Sequence, residues 1–135
     1  MKRKICLWCI LGASLWVLFS GCGIEMAKTP TETVKAFYRA ANRGRYSEIE
    51  KYLSPDALKG MRAMVLLAGR EEAIDELTRQ RTIKKIEILK EEVQGEEVTV
   101  NFVLHFRDGN THKESLTLIK EKGMWKLKMW DSAYQ

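Results

Sequence analysis

Between Val98 and Phe106 every second residue is a large apolar one: Val98, Val100, Phe102, Leu104 and Phe106. Thr99, Asn101, Val103 and His105 stand between them, and Arg107 follows. Successive side chains of a strand point to opposite faces, so one face of this segment must be buried. The turn residues on either side supply neighbours for it. Gln94-Gly95-Glu96, taken as a three-residue loop, sets Ile86 and Ile88 beside Leu104 and Phe102. Downstream, a two-residue Asp108-Gly109 loop would bring Thr111, Lys113, Ser115 and Thr117 onto the Phe102 face. A three-residue loop, Asp108-Gly109-Asn110, pairs Phe102 with Leu116 and Val100 with Leu118, with a left-handed residue near its end. Lys122-Gly123 as a two-residue loop then pairs Leu118 with Leu127 and Leu116 with Met129, and adds Trp125 to the same face. The three registers agree on one apolar face, which predicts a four-stranded antiparallel meander from Thr82 onward.

The preceding half has helical periodicity. Thr29-Pro30-Thr31-Glu32 joins a capping box to a proline at the first helical position. Val34, Phe37, Tyr38 and Ala41 follow at helical spacing, and Asn42-Arg43-Gly44 ends the helix. A short helix is predicted over Ser47 to Leu53. Ser54-Pro55 starts a third that runs to about Ala68, and a fourth covers Glu71 to about Arg79. The third helix carries Leu58, Met61, Met64, Val65, Leu66 and Leu67 on more than one stripe. Such a helix needs cover on more than one side, from the fourth helix or from a ligand or partner. Helices first and strands afterwards predict an α+β domain, with the helices on one face of the sheet.

The N-terminal segment up to Cys22 follows a different rule. Lys2, Arg3 and Lys4 precede an uncharged apolar run from Ile5 to Phe19. That run is shorter than the ~20 residues of a membrane-spanning helix and has the layout of a secretory signal. The ending Leu18-Phe19-Ser20-Gly21-Cys22 resembles the lipobox of bacterial lipoproteins, with Phe19 where leucine is usual. The resemblance implies a signal peptide over residues 1–21, lipidation of Cys22 by acyl chains such as palmitate, a lipidated tether over residues 22–28, and a domain over residues 29–135. It also implies a cell-envelope location at the membrane. In a Gram-negative envelope, Gly23 rather than Asp after the cysteine implies the outer membrane, facing the periplasm. Cys6 and Cys9 would leave with the signal, so their C-x-x-C spacing is not a redox pair of the mature chain, which keeps Cys22 alone. Loss of Lys2, Arg3 and Lys4 leaves 20 basic residues against 18 acidic ones, or +2. That is no footprint for nucleic acid.

Thr29 to Tyr38, Gly44-Arg45-Tyr46, Tyr52-Leu53-Ser54-Pro55 and Gly123-Met124-Trp125-Lys126-Leu127 together resemble small bacterial lipoproteins of unknown function. Those are similar to the nuclear transport factor 2-like (cystatin-like) superfamily. The resemblance implies helices wrapped on a curved sheet to form a cone, with partner or homodimer contact through the outer sheet face. That face carries Leu89, Val103, Ile119 and Trp130 among polar residues. Enzymes of the superfamily, isomerases and cyclases, hold an acid or histidine inside the cone. The inner face is expected to be apolar, with no carboxylate or histidine at its middle, and no catalytic residue is assigned. His105 is expected on the outer face between Lys85 and Lys113, and His112 near a hairpin tip. Two such histidines without cysteine do not make a metal site, and no cofactor is implied. The ligand-pocket candidates are Phe37, Tyr38, Tyr52, Met61, Val65, Phe102, Leu104 and Trp125. Arg39, Arg43, Arg45 and Lys51 form a basic set suited to helix-end dipoles or anionic headgroups. The expected function is non-catalytic binding of a small apolar ligand or a protein partner near the membrane. The alternative is an isomerase- or cyclase-type enzyme with a pocket tyrosine.

Overall fold

The computed structural model describes residues 29–78 and 82–128, apart from the Leu77 side chain. Four helices come first: α1 (Pro30–Asn42), α2 (Tyr46–Ile49), α3 (Pro55–Ala68) and α4 (Arg70–Thr78), with a 3-10 turn, Glu50–Tyr52, after α2. Four strands follow: β1 (Ile83–Gln94), β2 (Glu97–Phe106), β3 (Thr111–Glu121) and β4 (Met124–Leu127). They form one antiparallel sheet in sequence order.

Local chemistry explains the helix boundaries. Thr29 and Glu32 make the capping box reciprocally. Thr31, in the first turn of α1, donates its backbone N–H to Glu91 of β1 at 3.2 Å, and its hydroxyl contacts the same oxygen. A carboxylate from the sheet therefore sits at the positive end of α1. At the other end Arg45 N–H bonds the Ala40 carbonyl and Gly44 N–H that of Ala41, which is a Schellman stop. Ser54 caps α3 through Ala57 N–H at 3.3 Å. Its own N–H bonds the Leu127 carbonyl at 2.8 Å, tying the helical layer to β4.

The core lies between the layers. The inner positions of β2 are all buried, as are Leu116, Leu118 and Leu127. Val34, Phe37, Tyr38, Ala41, Ile49, Leu53, Ala57, Met61, Ala73 and Ile74 cover them from the helices. On α3 the wide apolar surface is only partly used. Met61 is buried and Met64 and Val65 are half-buried, but Leu66 and Leu67 are 86% and 90% exposed.

Two strand connections differ from the sequence expectation. The β2–β3 loop is Arg107-Asp108-Gly109, one residue earlier than predicted. Gly109 takes the left-handed position at φ 88° and donates its N–H to the Phe106 carbonyl at 3.1 Å. Asp108 Oδ1 accepts the Asn110 N–H at 2.9 Å. A left-handed glycine closing a three-residue loop is the favoured geometry, and Asn110 is thereby released into the ladder, bonding Phe106. The register moves by two residues, to Val100 opposite Leu116 and Val98 opposite Leu118. A shift of two preserves the faces, so the core residues are those expected. Thr111, not Lys113, lies opposite His105.

The β1–β2 loop is the two-residue Gly95-Glu96, yet Ile86 and Ile88 still pair with Leu104 and Phe102. A bulge at Leu89 absorbs the difference. A second, at Lys84, lies between Ile83 and Lys85. In a regular strand, positions 83 and 86 face opposite ways. The extra residue lets Ile83 and Ile86 both face inward and leaves Lys84 and Lys85 both exposed.

Candidate functional site

The ligand-pocket candidates converge, and they pack. Phe37, Tyr38, Met61, Phe102 and Leu104 are at most 5% exposed, and Tyr52, Val65 and Trp125 are half-buried against the same cluster. Tyr38 stands edge-on between Phe37 and Phe102, with ring centroids 5.1 and 5.5 Å away. Aromatic rings thus fill the region where α1 crosses β2. Cys22, Met129 and Trp130 lie outside the described residues.

Past Leu116 the inner face of β3 turns polar. Glu114 lies opposite Phe102, and His112 opposite Leu104. His112 Nε2 is 2.9 Å from Glu114 Oε1, and both side chains are rather more than one-third exposed. Glu114, opposite the central Phe102, corrects the expectation that no carboxylate or histidine sits at the middle of the inner face. The signal was present, because 112 and 114 share the parity of Leu116. Burial pushes the Tyr38 phenol well above the usual tyrosine range, and the Glu114 charge adds to the shift. Tyr38 is therefore a neutral hydroxyl at every ordinary pH.

Beside Tyr38, α1 and the start of β1 enclose an open groove of about 330 Å³. Its lining is Lys35, Tyr38, Arg39 and Asn42 from α1, and Ile83, Lys84, Lys85 and Ile86 from β1. Lys35 and Arg39 are four residues apart and share a helix face. The Lys84 bulge brings two lysines to the opposite wall. Asn42 fixes the walls together: its amide donates to the Ile83 carbonyl at 3.2 Å and accepts the Ile83 N–H at 3.3 Å. These are the outward groups of an edge strand, satisfied by a helix side chain. The predicted basic set divides accordingly. Arg39 joins the groove, whereas Arg45 pairs with Glu48 at 2.9 Å. Lys84 and Lys85 are groove residues that periodicity alone did not single out.

The outer sheet face is a polar ladder. Lys90 and Asn101 hydrogen-bond Glu92, Ser115 bonds Asn101, and Thr99 meets Thr117 at 3.0 Å. The Lys90 and Asn101 bonds hold the Glu92 carboxyl below its usual range. His105 bonds Glu87 Oε2 at 2.7 Å. Among the described residues no three His, Cys, Asp or Glu side chains lie close enough to hold a metal ion, and no helix is long and apolar enough to cross a membrane.

Residues 20–128 match the family described as Domain of unknown function (DUF4878). The chain belongs to DUF4878. No curated protein matches it significantly. Among solved structures, this DUF4878 chain is similar to a SEC-C motif-containing protein of Rhodopseudomonas palustris, with TM-score 0.58 and 18% identity over 78% of this chain and 82% of that one. It is also similar to a putative NTF2-like transpeptidase of Campylobacter jejuni, with TM-score 0.53 and 15% identity over 73% of this chain and 97% of that one. Likeness at these identities establishes the fold and no activity. The DUF4878 domain is nuclear transport factor 2-like: helices packed on one face of a curved four-stranded sheet.

Proposed function

We propose that this DUF4878 protein is a lipid-anchored domain of the cell envelope that binds a partner or ligand near the membrane without catalysing a reaction. The position of Cys22 carries the reading. It ends the uncharged run Ile5–Phe19 behind Ser20-Gly21, and it stands eight residues before α1. The family match begins at Ser20, so the apolar run lies outside the shared domain. Acylation at Cys22 would make attachment durable, since each buried CH₂ contributes ~0.8 kcal/mol and several chains act together. In a two-membrane envelope, Gly23 directs the protein to the outer membrane, facing the periplasm.

Packing supports the non-catalytic half of the reading. The enzyme alternative would use Tyr38, with Glu114 and His112 beside it on the inner face. Tyr38 is 5% exposed and wedged between two phenylalanine rings, so packed side chains rather than an open cavity surround its ring. An apolar ligand meets the same obstacle, so surface contact is the favoured mode. The outer sheet face is one such surface, with Val103 and Ile119 half-buried within its polar ladder.

Metabolic labelling with an alkyne fatty acid tests the anchor. Wild type is expected to carry label and to fractionate with membranes. Cys22→Ala is expected to lose both. An unlabelled wild type ends the proposal.

A further inference from the structure

We propose that the groove between α1 and β1 is a binding site for a phosphate-bearing anion, held by Lys35 and Arg39 on one wall and Lys84 and Lys85 on the other. Four cations line this groove and no carboxylate does. None of the four forms an ion pair with a described carboxylate. The acidic group nearest in strand register, Glu87, shares a face with Lys85 and is engaged there by His105 at 2.7 Å. Like charges four apart on a helix repel, and an edge-strand bulge that sets two lysines side by side adds to that repulsion. An anion in the groove removes both penalties at once.

The lining suits phosphate in particular. Arg39 presents a planar fork that can bind two phosphate oxygens, while the lysines act as mobile point charges. Ile83 and Ile86 give the groove an apolar part against which a glycerol or alkyl substituent can lie. A volume of about 330 Å³ is at the small end of ligand sites and matches a headgroup better than a sterol or an acyl chain. Asn42 contributes rigidity and no contact, because its amide is committed to Ile83. Tyr38 offers a neutral phenol at the inner edge.

Two sources supply this chemistry: the headgroup of an anionic lipid, or a soluble phosphate ester. The headgroup source rests on the anchoring reading. It is within reach, since the seven residues from Cys22 to Thr29 extend to at most about 25 Å. Lys35 and Arg39 lie only about 8 and 14 Å along α1 from its start. The soluble source needs no anchor, and failure of Cys22 labelling leaves it standing.

The test uses the full chain, isotopically labelled and held in neutral maltoside micelles. Backbone amide shifts are followed while inorganic phosphate is titrated in, or micelles carrying a minor fraction of phosphatidylglycerol or of phosphatidylcholine. Saturable shifts at Lys35, Arg39, Lys84 and Lys85 are expected, weakening with added salt. Each charge removed in Lys35→Gln, Arg39→Gln, Lys84→Gln or Lys85→Gln is expected to weaken binding about fivefold. Lys59→Gln on α3 is the control and is expected to change nothing. Response to phosphatidylglycerol but not to phosphatidylcholine or phosphate assigns the headgroup. Response to phosphate that competes with phosphatidylglycerol assigns the soluble ester. Absence of saturable shifts from either probe, or shifts unchanged in a correctly folded Arg39→Gln/Lys84→Gln variant, overturns the proposal.

Discussion

Tyr38 shows how one side chain couples the core to the polar end of the sheet. Its phenol is raised first by burial and then by the Glu114 carboxylate. An unfolded tyrosine titrates near pH 10. Below that pH both states keep the proton and stability is indifferent to this group. Above it the unfolded chain loses the proton first, so stability falls as pH rises towards the folded value. The fall is about 1.4 kcal/mol per pH unit for one proton. Tyr38→Phe is expected to remove that contribution and flatten the alkaline limb, read by urea unfolding at pH 9, 10 and 11. An equally steep limb in the variant would mean that the hydroxyl is not buried in the folded state. The residue was legible in sequence as a core-facing aromatic of α1. Its charged neighbour is marked by parity alone, because the apolar pattern ends at Leu116 although the same face continues through Glu114 and His112.

At the level of elements, β1 is where sequence and structure part most usefully. It has 12 residues against 10 in β2, and two bulges absorb the excess. Lys84 and Leu89 are the extra residues, and each joins two regular stretches whose inner faces already agree. Deleting Leu89, which is 52% exposed, is therefore expected to leave every inner residue in place and to shift Tm by only a few degrees. Deleting Val103 from the unbulged β2 should be far worse. It turns either Phe102 or Leu104 outward, at about 1.5–3 kcal/mol for each apolar side chain exposed. Melting curves of the two deletions decide the matter, and equal damage from both would refute the insertion account. Faces were readable from sequence because a register error of two residues leaves them unchanged. Loop lengths were not, because Gly109 can close a turn one residue earlier than Asn110, and a bulge can repair a loop counted one residue too long. The basic groove was hidden for the same reason: Lys84 and Lys85 share an edge only because the strand is irregular there.

Across the molecule, burial is concentrated where the two layers meet along α1, β2 and the end of β4, and it thins along α3. The first half of α3 is docked through Ala57 and Met61, both nearly fully buried. Its last turn carries Leu66 and Leu67 outward, while α4 returns to cover the core with Ala73 and Ile74. The sequence predicted that a helix so broadly apolar needs cover, and α4 supplies it for part of the circumference only. The stability of the domain should therefore depend on the two ends of α3 unequally. Met61→Ala removes a buried side chain from a packed site, with an expected cost of about 2–5 kcal/mol. Leu66→Gln and Leu67→Gln alter side chains already in solvent, and each should stay within about 0.5 kcal/mol of wild type. Urea unfolding of the three variants in the isolated protein measures both. A loss in either leucine variant as large as that of Met61→Ala would show that the end of α3 is covered in solution, by this chain or by a second copy, and protein-concentration dependence of the midpoint would tell the two apart.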